Sequence, residues 1–201
     1  MSRLVFFLEE PSAEALLESY LPRLMPGWKK DVDFVTIVFR GKQDLEKQLP
    51  KRLRAWQTPG DRFLVLRDQD AQDCLAVKQS LSRAVLDTLA PRNPTPAHAV
   101  RLACRELEAW YWGNPDAVES ALGVTGVVDS AGRARFRIVD EVQNPAEALV
   151  KATGGAYQKI AGSRSIGRHL TLDPSDSRSA SFKVFVSAVR RLTQNRTKRD
   201  H

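Results

Sequence analysis

The sequence predicts an α/β fold whose central sheet is mainly parallel and flanked by helices. Three observations indicate this class. Short apolar runs, typical of strands covered on both faces, recur along the first half of the chain. Segments with apolar residues three or four positions apart, the spacing of an amphipathic helix, separate these runs. This regular alternation is typical of βαβ units, in which successive strands are parallel.

The first predicted unit is a strand at residues 4–8 (LVFFL) followed by a helix. Ser12 is the expected N-cap of that helix. Pro22 lies inside the helical pattern and is expected to kink or shorten it. The residues that repeat at helical spacing are Leu16, Leu17, Tyr20, Leu21 and Leu24.

The second predicted strand, residues 32–39 (VDFVTIVF), is rich in β-branched and aromatic residues and ends before Gly41. A helix follows, although Pro50 is expected to disturb it. Residues 58–61 (TPGD) predict a turn, and residues 63–66 (FLVL) predict the third strand. The apolar face of the second helix comprises Leu45, Leu49, Leu53 and Trp56.

The third predicted helix leads to a fourth strand through a proline-rich connector at residues 90–98. Residues 99–103 (AVRLA) are the strand candidate. Residues 106–112 (ELEAWYW) predict a helix that the sequence GNPD ends. These elements together predict a core domain at residues 1–122. The face of the third helix comprises Cys74, Val77, Leu81 and Val85.

Residues 123–201 are predicted to be an extension that packs on the core and is not an independent domain. The segment is rich in Gly, Ser and Asp, so we expect a loop-rich structure with one short helix at 145–152. An amphipathic helix is predicted to end the chain. Its apolar face comprises Phe182, Phe185, Val186, Val189 and Leu192.

The composition, with 42% hydrophobic and 27% charged residues, is typical of a soluble globular protein. No apolar run reaches the roughly 18 residues that span a bilayer. The N-terminus (MSRLVFFLEEPS) is too short and too acidic for a signal peptide. We therefore expect a cytoplasmic protein without membrane association, in which Cys74 and Cys104 are buried, reduced thiols.

The chain is basic, with a formal net charge of +7. Lys and Arg concentrate at residues 29–54 and in the tail at residues 190–201. A basic surface favours nucleic acid as a partner, and the tail is expected to bind the phosphate backbone of that nucleic acid.

The acids, in contrast, concentrate where predicted strands end. Glu9 and Glu10 follow the first strand, and Asp68 and Asp70 follow the third, with Asp73 close behind. Ligands of open parallel sheets bind outside the carboxyl ends of the strands. A D-x-D pair in an extended segment points both carboxylates to one side, and a divalent cation would relieve their repulsion of Glu9. Acids at strand ends also serve as helix caps, and Asp73 is the expected cap of the next helix.

The segments LEEPSAEALL and LRDQDAQD, each after a strand, resemble the Toprim domain of topoisomerases, primases and overcoming-lysogenization-defect nucleases. That family has a glutamate after its first strand and a D-x-D after a later one. The resemblance implies that Glu9, Asp68 and Asp70 hold Mg²⁺ or Mn²⁺. Glu10 stands where the family has glycine, which leaves open whether Glu9 or Glu10 faces the metal; we favour Glu9.

A closer likeness covers nearly the whole chain. Its blocks are FLEEPSAEALLESYLPRLMP, FRGKQDLEKQLPKRLRAW, RDQDAQDC, CRELEAWYWGNP and AYQKIAGSRSIGRHL. They resemble a bacterial Toprim-like family that is often encoded beside an AAA or ABC-type ATPase and is similar to the RloB and abortive-infection proteins of phage defence. The likeness implies a partner ATPase and a role in antiviral defence.

Two further acids and three aromatic residues follow the fourth strand. Glu108 is a candidate third metal ligand, as the resemblance to RloB-like proteins implies, or else an acid favoured at a helix start. Glu106, two positions earlier, points to another face. Residues 110–112 (WYW) can stack on a base or pack in the core, and their adjacent helical positions favour the core for at least one of them.

Basic and hydroxyl side chains are the candidate phosphate contacts. Lys159, Ser163 and Arg164 lie in a Gly-bearing segment that suits phosphate binding or is a solvated loop. Lys42 follows the second strand at the same rim. Arg67 beside the D-x-D either offsets its charge or holds a phosphate oxygen.

The resulting hypothesis is a Mg²⁺-dependent phosphodiesterase, a nuclease acting on DNA or RNA by two-metal chemistry. Glu9, Asp68, Asp70 and Lys159 are its expected catalytic residues. The alternative is a non-catalytic binding or scaffold subunit of an ATPase complex, and nucleotidyl transfer of primase type is a third option. The sequence leaves open DNA against RNA and the formation of a homo-oligomer.

Overall fold

The computed structural model describes residues 2–194 of the chain, and in them four parallel strands form one sheet. The order of the strands across the sheet is β2-β1-β3-β4. The predicted α/β class with a parallel sheet is confirmed. The strands are Leu4–Leu8 (β1), Phe34–Val38 (β2), Arg62–Asp68 (β3) and His98–Ala103 (β4).

Helices connect the strands and then cover the sheet. The three crossover helices are Pro11–Leu24 (α1), Lys42–Ala55 (α2) and Cys74–Leu89 (α3). The helices after β4 are Glu108–Trp112 (α4), Pro115–Leu122 (α5), Val127–Ala131 (α6), Pro145–Ala152 (α7), Lys159–Gly167 (α8) and Ala180–Thr193 (α9).

Two hydrophobic cores lie on opposite faces of the sheet, because side chains alternate along each strand. Phe6 of β1 and Leu64 of β3 belong to the larger core, which also includes residues of α1, α4, α8 and α9. Phe7 and Val65 enter the smaller core, against α2 and α3. This burial on both faces explains why the strand sequences are apolar throughout.

One local expectation about the helix sequences is wrong, and two prolines lie inside helices. Glu10, not Ser12, is the N-cap of α1, because Pro11 takes the first helical position, where its missing N–H has no consequence. Pro22 and Pro50 lie inside α1 and α2, and neither ends its helix. Packing of each helix against the sheet outweighs the local penalty of the proline.

Residues after 122 contain more helix than expected. The predicted helix at 145–152 is confirmed as α7, and the amphipathic final helix as α9. The segment with Lys159, expected to be a loop, is α8, which packs along α1. The apolar face of α9 is buried in the larger core, so the extension completes that core. The rest of the basic tail, residues 195–201, lies outside the described residues.

In the described part of the chain, no helix is both long and apolar enough to cross a bilayer.

Candidate active site

The sequence left open whether Glu9 or Glu10 faces a metal, and the register of the sheet places these two side chains on opposite faces. Leu8 of β1 pairs with Leu66 of β3, and the Glu9 N–H donates to the Leu66 carbonyl at 3.3 Å. Continuing this register places Glu10 beside Asp68, on the face of the larger core. Glu9 falls on the other face, so Glu10, and not the favoured Glu9, is the acid on the same face as the Asp68 carboxylate.

Asp68 is the last residue of β3, not the first of a loop, because the strand runs two residues beyond its apolar run. Its side chain is buried on the face of the larger core, with 9% of the residue exposed. Burial raises the pKa of the Asp68 carboxyl well above its usual range, and the charges of Glu10, Glu108 and Glu9 raise it further. The Lys159 ammonium acts in the opposite direction.

Lys159, the first residue of α8, brings a cation to these acids. Its Nζ donates to Glu10 Oε2 at 2.6 Å. Burial lowers the pKa of the Lys159 ammonium, but the hydrogen bond to Glu10 and the charges of Glu10, Glu108 and Asp68 outweigh it and raise the pKa to about 12. Lys159 is therefore a permanent cation here, and the segment that carries it reaches the sheet edge because α8 packs along α1.

Glu108, the first residue of α4, is fully buried beside this group. The Tyr157 hydroxyl donates to Glu108 Oε1 at 2.7 Å. Glu108 Oε2 and the Tyr111 hydroxyl are buried without a hydrogen-bond partner among the described residues. Burial raises the pKa of the Glu108 carboxyl. Because a buried polar atom without a partner is rare, Glu108 Oε2 marks a place for a water or a cation.

We refer to Glu10, Asp68 and Glu108 with Lys159 as the carboxylate cluster. It lies at the carboxyl edge of the sheet, where ligands of parallel sheets bind. Lys159 and Glu10 connect it to solvent, with 49% and 23% of their side chains exposed.

Asp70 does not join the carboxylate cluster. Its φ of 58° takes the chain out of the extended conformation, so the period-two rule for a D-x-D pair does not apply. The Asp70 carboxylate accepts from Lys42 Nζ at 2.7 Å. The expectation that both aspartates point to the same side is therefore wrong. Lys42 itself is the first residue of α2, at the predicted rim.

Arg67, predicted either to offset the charge of the D-x-D or to hold a phosphate oxygen, is buried with 1% of its side chain exposed. Its Nε donates to the Asp68 carbonyl at 3.0 Å, and its Nη2 to Gln72 Oε1 at 2.6 Å. Its Nη1 donates to Glu46. With these donors engaged, Arg67 holds the loop after β3 in place and is not free for a substrate.

Glu9 belongs to this Arg67 network. Glu9 Oε2 accepts the Asp68 N–H at 3.0 Å and lies 3.9 Å from Arg67 Nε. Burial raises the pKa of the Glu9 carboxyl, and the Asp70 charge raises it further, whereas the Asp68 N–H and Arg67 lower it. Glu9 thus fixes the backbone of Asp68, whereas the Asp68 carboxylate lies on the other face of the sheet, with Glu10 and Lys159.

The two other candidates on α8 lie outside the cluster. The Ser163 hydroxyl is buried and donates to the Lys159 carbonyl at 2.5 Å, so it is not available to a ligand. Arg164 is ion-paired with Glu18 of α1 at 2.5 Å. Of the two, Arg164 joins α8 to α1.

The acid and aromatic residues around α4 have structural contacts. Glu106 accepts the Ala146 N–H at 2.9 Å, at the start of α7. Trp110, Tyr111 and Trp112 are fully buried, which excludes stacking on a base. Trp110 packs on Phe182 and Phe185 of α9.

Sequence reasoning missed the role of Tyr157. Its hydroxyl links α8 to Glu108, and its ring packs against Gly162 so closely that a Cβ there would lie 2.5 Å from Tyr157 Cδ2. The only signal in the sequence was a small residue, Gly162, five positions after the aromatic Tyr157. This spacing is too common to predict a contact.

Among residues 2–194, no three His, Cys, Asp or Glu side chains are grouped closely enough to ligate one ion directly. The cluster nevertheless suits Mg²⁺, which takes one or two carboxylates and keeps several waters. The buried Glu108 oxygen without a partner and the raised pKa of Asp68 both indicate that a cation would stabilise this group.

A family model described as "Domain of unknown function (DUF4276)" matches residues 8–190. The chain belongs to the DUF4276 family. The matched span of DUF4276 contains every residue of the carboxylate cluster and of the Arg67 network. No curated protein and no solved structure matches the chain significantly.

Proposed function

We propose that this DUF4276 protein is a metal-dependent phosphodiesterase, a nuclease that cleaves DNA or RNA. The observation that carries the proposal is the carboxylate cluster at the carboxyl edge of a parallel sheet, in which Glu10, Glu108 and the Lys159 ammonium are near enough to the buried Asp68 carboxyl for their charges to shift its pKa. Perturbed carboxyl pKa values in a group of this kind are typical of functional sites.

Asp68 and Glu10, with Glu108 behind them, are the residues that would hold Mg²⁺ or Mn²⁺. When bound, the ion polarises a phosphate and activates a water for hydrolysis. The present Lys159–Glu10 pair occupies one carboxylate, so metal loading competes with Lys159 for Glu10.

Lys159 contributes a fixed positive charge to this chemistry. Because its pKa is raised to about 12, it cannot act as a base at neutral pH. Freed from Glu10, it would bind a phosphate oxygen and stabilise negative charge on it. The Arg67 network acts indirectly, since Arg67 and Glu9 fix the backbone of Asp68 and the loop with Asp70.

The exposed face of α2 supports nucleic acid as the substrate. Lys47, Lys51 and Arg54 are exposed and three or four positions apart, so they are neighbours on one face of the helix. None of them has a carboxylate partner within the described residues. Lys42, at the start of the same helix, contacts Asp70, so a phosphate backbone bound along α2 leads to the carboxyl edge.

A partner ATPase and a role in antiviral defence remain part of the proposal. They rest on the resemblance of the five sequence blocks to Toprim-like proteins encoded beside AAA or ABC-type ATPases. A homo-oligomer and a cytoplasmic location also remain proposals.

Cleavage of labelled DNA and RNA, single- and double-stranded, tests the proposal. With Mn²⁺ or Mg²⁺ the wild-type protein is expected to cut at least one substrate, and Asp68→Asn to lose more than about 100-fold in rate because a metal ligand is lost. The exposed Asp87→Asn is the matched control and should cleave like wild type.

Absence of cleavage with either metal, both alone and with any ATPase found to be encoded beside the gene, would contradict the nuclease and favour the scaffold subunit. Incorporation of labelled nucleotides into a primer would instead indicate nucleotidyl transfer.

A further inference from the structure

The two cysteines of the chain meet in one place. Cys74 is the first residue of α3 and Cys104 follows β4 directly. Both are free and half-buried, not fully buried as the sequence predicted. Both line one cavity of about 220 Å³ whose walls include residues of α3, β4 and α9.

The two thiols are close enough to influence each other. Burial raises the pKa of the Cys104 thiol to about 12, and the charge of Asp140 and the neighbouring Cys74 thiol add to this rise. Ionisation of Cys104 is therefore disfavoured. Because the thiolate is the nucleophile, Cys104 is a poor first target for an oxidant.

Backbone hydrogen bonds hold the segments of the two cysteines together. The Gln69 N–H donates to the Ala103 carbonyl at 2.9 Å, and the Asp70 N–H to the Arg105 carbonyl at 2.8 Å, on either side of Cys104. Asp73 then caps α3 through the Ala76 N–H at 2.6 Å, which fixes the position of Cys74. These contacts hold the loop before Cys74 against the residues on either side of Cys104, and the shared cavity brings the two thiols to one place. A disulfide requires such an approach of the two backbones.

We propose that Cys74 and Cys104 form a reversible disulfide within one chain when the protein meets a peroxide. The peroxide oxidises the Cys74 sulfur to a sulfenic acid, its O–O bond breaks, and one water leaves. The Cys104 sulfur then attacks the sulfenic sulfur, the S–S bond forms, and the hydroxyl leaves as a second water. Two thiols are oxidised and one hydrogen peroxide is reduced to two waters.

The bond would join two segments that carry site residues. The loop before Cys74 contains Asp70, and the segment after Cys104 leads to Glu108. Oxidation therefore cross-links the segments that follow the neighbouring strands β3 and β4. The disulfide itself does not depend on the nuclease proposal, because its formation is measured without a substrate.

Intact-mass spectrometry of the full chain tests the proposal. Reduced protein is treated with hydrogen peroxide, quenched and then alkylated with N-ethylmaleimide. The expected product is a monomer that is lighter by two hydrogens and carries no maleimide, with a peptide cross-linking Cys74 to Cys104. Dithiothreitol should restore two alkylation sites, as expected for a disulfide.

Cys74→Ser and Cys104→Ser are the matched controls, and neither should lose two hydrogens as a monomer. Three results with the wild-type protein would overturn the proposal. The first is that both thiols still react with N-ethylmaleimide after peroxide. The second is oxygen added to each cysteine separately, and the third is a disulfide between two chains on a non-reducing gel.

Discussion

Asp68 is a residue whose burial opposes its ionisation. Its carboxylate lies against the larger core near further acids, and Lys159, the cation that lowers its pKa, is hydrogen-bonded to Glu10. Such a charge is unfavourable for folding, and proteins retain it where a ligand uses it. The residue is thus expected to reduce stability while serving the site.

Asp68→Asn is predicted to raise the free energy of unfolding at pH 7, because burial and the neighbouring acids make the Asp68 carboxylate unfavourable in the folded state. The pKa of Asp68 is raised in the folded state, so above about pH 4 the unfolded chain ionises first and is favoured. The gain should therefore shrink as the pH falls towards 4. Urea unfolding without metal at pH 7 and pH 4 measures both values.

A variant less stable than wild type at pH 7 would mean that the folded structure favours the Asp68 carboxylate. Addition of Mn²⁺ gives a second check, because a ligand that binds only the folded state stabilises it. Mn²⁺ should raise the stability of wild type and not that of Asp68→Asn.

At the scale of elements, α8 decides whether Lys159 reaches the sheet edge. The helix lies close to α1, because a Cβ on Gly167 would stand 2.2 Å from Ser19 Oγ and 2.8 Å from the Leu16 carbonyl. Gly167 is therefore required for this approach although it weakens the helix. Gly167, one of the glycines that suggested a loop, is thus a contact point between two helices.

Gly167→Ala is predicted to destabilise the protein by about 1–3 kcal/mol, the usual effect of overpacking. It should also lower cleavage activity, because α8 must move away from α1 and takes Lys159 with it. Thermal unfolding and the cleavage assay measure the two effects. Ser165→Ala, on the same helix, is the control and should change neither; full stability of Gly167→Ala would show that α1 and α8 are not so close.

The whole molecule combines an acidic site with a basic surface. The net charge of +7 would repel Mg²⁺ in general, but the carboxylate cluster forms a local acidic region. Basic side chains such as those of α2 are placed to attract a polyanion. Substrate binding and metal binding therefore use different parts of the surface.

Reversal of three charges on α2, Lys47→Glu, Lys51→Glu and Arg54→Glu together, is predicted to weaken nucleic acid binding at least about 10-fold. The plot of log affinity against log salt should become shallower by about 2, because fewer counterions are released. Fluorescence anisotropy in the Asp68→Asn background measures binding without cleavage.

The matched control carries the same charge change on three exposed cations elsewhere, Arg133→Glu, Lys151→Glu and Arg168→Glu. Equal loss of affinity in both variants would mean that net charge matters and that α2 is not the binding face.

The order of strands and helices in the first half of the chain was predictable because it depends on local periodicity. Apolar runs gave β1 and β3, and residues at helical spacing gave α1 to α3 and α9. Asp73 was correctly predicted as the cap of α3, since a cap depends on the next three residues. Helix α8 was not predicted because its sequence contains glycines. These glycines are favourable only where they contact Tyr157 and α1, and the local sequence does not show those contacts.

The sequence by itself determined the parallel α/β class and the presence of acids at the carboxyl edge of the sheet. The tertiary structure decided which acids meet. Strand register places Glu10 beside Asp68, the left-handed backbone at Asp70 turns that carboxylate towards Lys42, and α8 brings Lys159. It also decided that Cys74 and Cys104 are neighbours. These contacts join residues far apart in the chain, and local pattern carries no information on such pairs.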